Sequence, residues 1–258
     1  MTLKISTQLL GQSGCILKYD NKVLCVDPYL SNSVEELDAS DLQRLIPIPV
    51  NPEEITNIDY VLITHDHIDH CDPHTLPKIA KASKKCQFIG PPPVLENLKK
   101  WGISKDRLNL SEENGIEIGS NIKIYAVPAA HPKIIRNKES NLLYVGYIVE
   151  IEGKRLYIAG DTIVTEELIK SLKKYYPISA AILPVNEHNY FLGRRGIIGN
   201  MSVREAFLFA DEIKVNTVIP VHWDMFSVNA VDLDEIKIIY SNMNPKFNLK
   251  IQPSEIFL

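Results

Sequence analysis

The sequence predicts one α/β domain over residues 1–258, with two β-sheets packed together and helices on their outer faces. Short apolar, β-branched runs recur along the chain in two groups, each interleaved with stretches of helical length. Hairpin signals supply antiparallel edges, and helices need a sheet face to cover. No repeat, low-complexity tract or linker-like shift of composition divides the chain.

Each element has its own local signal. "LKISTQLL", "GCILKYD" and "KVLCVDPYL" read as strands, the last two joined by a turn at "YDNK". Residues 31–58 are polar and proline-bearing, which predicts a long loop or flap with at most a short helix. "DYVLIT" (59–64) is a buried strand. Residues 72–85 form a helix, with Asp72 as N-cap and Pro73 at its first position. "CQFIG" is a strand and "PPVLENLKKWG" a helix closed by Gly102. "GIEIG" and "NIKIYAVPA" are strands, and residues 142–161 a hairpin turning at Glu152 and Gly153. A helix over 163–176 precedes the strand "SAAILPV". Residues 202–214 form a helix with a capping box, Ser202 to Glu205. The strand "NTVIPV", the helix "VDLDEIKIIYSNM" and a last strand "FNLKIQ" complete the chain.

Composition narrows the function classes. The chain is 45 % hydrophobic and 23 % charged, a balance that permits a sizeable core. Lys and Arg number 28 against 32 Asp and Glu, and that balance argues against a nucleic-acid partner. No apolar run is long enough for a membrane span. The opening segment has no signal-type apolar region, and Cys15, Cys25, Cys71 and Cys86 form no C-x-x-C pair. The expected setting is the reducing cytoplasm, with free thiols. Homo-oligomerisation is left open.

"ITHDHIDHCD" (63–72) holds three of the seven histidines, interleaved with three aspartates. Unpaired buried imidazoles and carboxylates are costly, so such a run needs water or a metal ion. It lies between the strand ending at Thr64 and the next helix, so it forms a loop at a strand's C-terminal end. His65 and His67, two apart, point the same way in an extended loop. His131, Asp161 and His222 each come after an apolar run where a strand should stop. Strand ends gathered at one sheet edge build a site from distant positions, and imidazole and carboxylate suit zinc, manganese and related ions.

H-x-H-x-D-H at 65–70, then His131, Asp161 after "IAG", and His222 resemble the metallo-β-lactamase superfamily, in order and over nearly the whole chain. The resemblance implies a four-layer αββα sandwich of two mixed sheets with a metal site at one edge. It implies two divalent ions, zinc or manganese, with a single ion as the alternative. His65, His67 and His131 would hold the first, and Asp69, His70 and His222 the second. Asp161 would bridge both, and Asp69 and Asp161 are the expected catalytic residues. "DPYLSNSVEE", "ILPVNEHNYF", "GIIGNMSVREAF" and "IPVHWDMF" further resemble the UlaG-like, or L-ascorbate-6-phosphate lactonase-like, branch.

The function implied is hydrolysis of an ester-like bond by metal-activated water, most simply of a small sugar lactone, phosphorylated or not. A phosphodiesterase or nuclease of the same superfamily is the alternative. Residues 186–205 are expected to form an anion-binding wall contacting a small, anionic substrate. His188, Asn189, Tyr190, Arg194 and Arg195 are its candidate contacts, and its glycines allow close backbone approach.

Overall fold

The chain lays down its strands in two runs, one for each sheet. The computed structural model describes residues 3–119 and 121–258. The first run comprises β1 (Lys4–Gly11), β2 (Gly14–Tyr19), β3 (Lys22–Val26), β4 (Tyr60–Leu62), β5 (Gln87–Gly90) and β6 (Leu108–Leu110). The second comprises β7 (Ile116–Glu117), β8 (Ile122–Pro128), β9 (Val145–Ile151), β10 (Lys154–Ile158), β11 (Ala180–Pro184), β12 (Thr217–Val221) and β13 (Asn248–Leu249). A final strand, β14 (Glu255–Phe257), returns to pair antiparallel with β1. The sheet orders are β14-β1-β2-β3-β4-β5-β6 and β13-β12-β11-β10-β9-β8-β7. Both are mixed: β3 through β6 run parallel, as do β10 through β13, while the hairpins run antiparallel.

The helices are α1 (Ser33–Leu37), α2 (Leu76–Ala82), α3 (Pro92–Lys100), α4 (Glu166–Lys173), α5 (Tyr190–Arg194), α6 (Val203–Glu212) and α7 (Leu233–Met243). Alternation along the strands explains the layers. Leu62 faces the core between the sheets, while its neighbours Val61 and Ile63 face outward onto Leu76 and Ile79 of α2 and Val94 and Leu98 of α3. Tyr157 and Leu183 pack outward against Leu168 and Leu172 of α4 and Phe207 of α6. Both faces of each central strand are therefore covered, which is why these runs read as continuously apolar. The result is the αββα sandwich.

Two local expectations shift, both at helix starts. α2 begins at Leu76, after Thr75, and not at Pro73. Asp72 instead binds the Ser31 hydroxyl at 2.7 Å, the His74 N–H and the Thr75 hydroxyl, so it ties the motif's exit to the 31–58 segment. That segment carries α1 and one 3-10 turn at Pro52–Glu54. It is pinned by Arg44, whose guanidinium bonds the Tyr29 and Ser31 carbonyls and lies 4.7 Å from the Tyr29 ring centre. The second shift is α4, which starts at Glu166 and is capped by Thr165 accepting the Leu168 N–H at 3.1 Å. Asp161 is thereby free of capping duty.

Candidate metal centre

Every residue of the predicted cluster sits just beyond a strand's C-terminal end, and these ends share one edge of the sandwich. β4 leads through Ile63 and Thr64 into His65, β8 leads into His131, β10 into Asp161 and β12 into His222. Backbone bonds bring the ends together. The Ile163 N–H donates to the Ala130 carbonyl at 2.9 Å, and the Ala130 N–H donates to the Thr162 hydroxyl at 2.9 Å, which sets His131 beside Asp161. The His70 and Cys71 N–H groups both donate to the His67 carbonyl, curling the motif into a turn. The His222 N–H donates to the Gln12 carbonyl at 2.9 Å, in the turn between β1 and β2. Where the two sheets meet, Gly160 at φ +62° lies so close to Thr64 that a Cβ would sit 2.8 Å from the Thr64 Cβ. Only glycine fits there.

The side chains then converge. The His65 ring lies 4.2 Å from His70, 4.5 Å from His67 and 5.3 Å from His131, centre to centre. Asp161 lies 3.3 Å from His70 Nε2, 3.7 Å from His131 Nε2 and 3.4 Å from His222 Nε2. Asp69 lies 3.5 Å from His70 Nε2 and 3.4 Å from His222 Nε2. Three overlapping triads have donor atoms within 4.8 Å of one another: His65, His67 and His131; His65, His70 and Asp161; Asp69, His70 and His222.

Burial and charge set the protonation of this cluster. Burial holds His65 well below the ordinary imidazole range and brings His131 down to about 4. Burial also opposes charge on His70 and His222, but Asp161 and Asp69 outweigh it, and His222 rises to about 9. Those same imidazoles overcome burial to keep Asp69 and Asp161 well below the usual carboxylate range. Ionised carboxylates beside neutral His65 and His131 are metal-ligand chemistry, and a bound cation would displace the protons that the carboxylates hold on His70 and His222. The donor set also passes a stricter test. His65 Nε2 is buried and lacks a hydrogen-bond partner, and His70 Nε2 and Asp161 Oδ1 are buried facing each other at 3.3 Å without hydrogen-bond geometry, a state that a folded protein avoids unless something else satisfies them. A divalent cation fits that requirement.

The floor of this cluster opens into a cavity of about 490 Å³. His67, Asp69, His131, Asp161 and His222 face it, joined by Gln12 and Asn186. A neighbouring cavity of about 420 Å³ meets it at Gln12 and holds none of the seven clustered residues.

The segment 186–205 departs from its expected form. Its ends are closed by backbone bonds from Glu187 to Met201 and from His188 to Asn200, and by the Asn200 amide donating to Asn186 Oδ1 at 2.8 Å. Gly199 serves this closure and not a ligand, since a Cβ there would run into the Glu187 carbonyl. Asn189 caps α5 by accepting the Leu192 N–H at 3.0 Å. Tyr190 and His188 are exposed, and Arg194 points away with them. Arg195 pairs with Asp41 on the 31–58 segment. None of these five residues lines the cavity, whereas Gly196, Ile197 and Ile198 do. The tight loop neck swings α5 outward, so its polar residues meet solvent.

Comparison with known proteins fixes the family. The sequence profile of the beta-lactamase superfamily domain matches residues 23–223. The chain belongs to the metallo-β-lactamase superfamily. Among curated relatives, the UPF0173 metal-dependent hydrolase PYRAB05000 of Pyrococcus abyssi is 27 % identical over 236 residues, covering 90 % of this chain and 91 % of the relative. The L-ascorbate-6-phosphate lactonase UlaG of Salmonella heidelberg is 24 % identical over 223 residues, 81 % of this chain and 61 % of that one. Mycobacterial relatives are 26 % identical, and the alignment spans 86 % of this chain but only 59 % of their length. Two solved structures share the fold. The isothiocyanate hydrolase from Delia radicum gut bacteria has a TM-score of 0.75 at 17 % identity, covering 99 % and 98 % of the two chains. Igni18 of Ignicoccus hospitalis has a TM-score of 0.69 at 19 % identity, covering 100 % and 98 %.

Within that superfamily the chain is similar to proteins named as metal-dependent hydrolases and to UlaG. The site in this chain contains residues that sequence reasoning misses. Asp27, fully buried, accepts the Thr64 N–H at 2.8 Å and the Thr64 hydroxyl at 2.6 Å, and lies 2.8 Å from His70 Nδ1. It stands after β3 as Asp161 stands after β10, so the strand-end signal is present in "KVLCVD". Gln12 donates to Asp69 Oδ2 at 2.6 Å and lies 2.9 Å from His222 Nε2. Nothing in "LGQSGC" announces that contact, because the strand pairing creates it.

Proposed function

We propose that this superfamily member hydrolyses an ester-like bond, most naturally that of a lactone, with two divalent ions, zinc or manganese, held at the strand-end cluster. His65, His67 and His131 would hold one ion, Asp69, His70 and His222 the other, and Asp161 would lie between them. The observation that carries the reading is the overlap of the three donor triads, in which His65, His70 and Asp161 link the outer two. Ions of this kind polarise a carbonyl oxygen and bring the pKa of bound water from 15.7 to about 7.

The chain's own groups prepare the site. Asp27 accepts from His70 Nδ1 and fixes its tautomer, leaving Nε2 for a ligand role. The Thr64 hydroxyl does the same for His65 at 3.0 Å from its Nδ1. Gln12 holds the Asp69 carboxylate in place. Cys71, beside the motif, does not compete as a nucleophile: burial pushes its thiol up, away from the reactive thiolate. The likeness to UlaG supports the lactone among ester-like bonds. With free, buried thiols, the cytoplasm is the setting we propose; among the described residues no helix is long and apolar enough to cross a membrane.

The test is elemental analysis after metal reconstitution, then a panel of lactones, amides and phosphodiesters with a chelator control. Two ions per chain and chelator-sensitive lactone cleavage are expected. A stoichiometry that stays at or below one removes the two-ion arrangement. Turnover of phosphodiesters alone replaces the ester reading with its phosphodiesterase alternative.

A further inference from the structure

The cavity has two unlike halves. Its floor is the His and Asp cluster. Its outer wall is apolar and comes from four separate segments. Val34, Leu37 and Leu42 descend from α1 and the loop after it, and Ile68 comes from inside the motif. Ile198 lies after α5, and Phe226 after β12. This wall continues into a small core beneath the 31–58 segment, where Val34 and Phe226 pack with Tyr29 and Met225.

Above the metal-ligand floor, the charged side chains that face the cavity are acidic. Asp38 and Asp66 face the cavity beside Asp69 and Asp161, and no Lys or Arg lines it among the described residues. The nearby arginines are engaged or turned outward. Arg195 is tied to Asp41, Arg194 is exposed, and Arg44, which does not line the cavity, donates through Nε and Nη1 to the Ile46, Tyr29 and Ser31 carbonyls. A phosphate or carboxylate on the part of the substrate that lies along the wall, away from the ion-holding floor, would meet Asp38 and Asp66 with no guanidinium or ammonium to receive it, and like charges disfavour such a partner. An alkyl chain would meet side chains that gain from being covered.

From this we infer that the substrate is uncharged and carries an apolar acyl or alkyl chain, which lies on the wall of Leu42, Ile68, Ile198 and Phe226 while its ester or lactone group reaches the floor. The inference rests on the hydrolytic reading above and adds the substrate class. A volume of about 490 Å³ is of the size that holds small organic ligands. The phosphorylated sugar lactone of the relative's name is the wrong chemistry for this wall.

Two measurements on the metal-reconstituted protein test it. The first is kcat/KM for neutral γ-lactones with ring substituents of increasing alkyl length, beside a phosphorylated sugar lactone and its unphosphorylated counterpart. Each added methylene should raise kcat/KM about fourfold until the cavity is full, the factor that corresponds to roughly 0.8 kcal/mol. The phosphorylated lactone should be about tenfold or more poorer than its counterpart. The second is calorimetric binding of uncleavable neutral alkyl amides of the same lengths, whose affinity should climb in parallel. Ile198→Arg, at a half-buried wall position, should flatten both series and improve the phosphorylated lactone. A flat length dependence, or preference for the phosphorylated lactone, overturns the inference and leaves ester hydrolysis standing. Length-dependent amide binding without cleavage of any lactone keeps the apolar pocket and removes the ester reading. Absence of both removes both.

Discussion

The floor and the rim of the cavity were built under different constraints. Floor residues sit where strands end, and sheet pairing fixes them to within a side chain's reach. His65, His70, His131, Asp161 and His222 are all buried. Rim residues sit on the 31–58 segment and on the loop around α5, where Tyr190 and Phe191 are 70 % and 76 % exposed. Both regions carry distinctive sequence, "THDHIDH" in one and "NYFLGRR" in the other. Conspicuous residues mark a site only when the backbone beneath them is committed by neighbours. At the floor the commitment is a ladder of hydrogen bonds, and around α5 it is a closed loop neck.

Substitutions can break or sharpen that contrast, and the largest effect should come from Asp161. Its carboxylate lies within 3.7 Å of His70, His131 and His222, so Asp161→Ala should abolish hydrolysis while circular dichroism shows the fold intact. Activity within tenfold of the parent, about 1.4 kcal/mol of barrier, would show that the floor does not depend on this residue.

Asp27 should come next. Asp27→Asn places an amide N–H against His70 Nδ1 or the Thr64 hydroxyl, and metal affinity should fall roughly 10- to 100-fold, as for other residues that orient ligands. Asp27→Ala should also cost about 1–3 kcal/mol of stability by leaving Thr64 unpaired. Competition with a chromophoric chelator reads the first and urea denaturation the second. Unchanged affinity in both variants would reduce Asp27 to a structural carboxylate.

Gly199→Ala tests the attachment of the α5 loop. The added methyl meets the Glu187 carbonyl and the His188 backbone, so the neck must open, at a cost of roughly 1–3 kcal/mol. KM should rise with metal content unchanged. A loss of metal instead would mean that the neck supports the floor, and the contrast between the two regions would fail.

The smallest effect should be that of Arg195→Ala. Its pair with Asp41 is exposed, and such pairs contribute about 0–1 kcal/mol. Thermal unfolding should barely move, and kcat/KM for a phosphorylated lactone should stay within about threefold. A loss confined to phosphorylated substrates would restore the anion-binding wall.

Much of this protein is legible in its sequence. The runs "DYVLIT", "RLYIAGD" and "NTVIPVH" each carry a strand and signal the ligand at its end, because a strand buried on both faces must be apolar and a polar residue beyond it must be answered for. That logic yields the two sheets, the outer helices and seven clustered residues. It also misses Asp27, which obeys the same rule but lacks a neighbouring histidine in sequence. Elements with little burial are harder to read. β14 is three residues long and forms only because β1 offers it an open edge, and α2 starts late because Asp72 is drawn to Ser31 and Thr75.

By itself, then, the sequence determined which residues could chelate an ion and on which strand ends they lie, since alternation and burial act within a few positions of one another. It could not determine what faces the substrate. Whether Arg195 turns toward the cavity or toward Asp41, whether Gly199 admits a ligand or a carbonyl, and whether Gln12 reaches Asp69 depend on contacts 12 to 154 positions apart along the chain. Those contacts form only when both sheets have packed, and local preference carries no record of them.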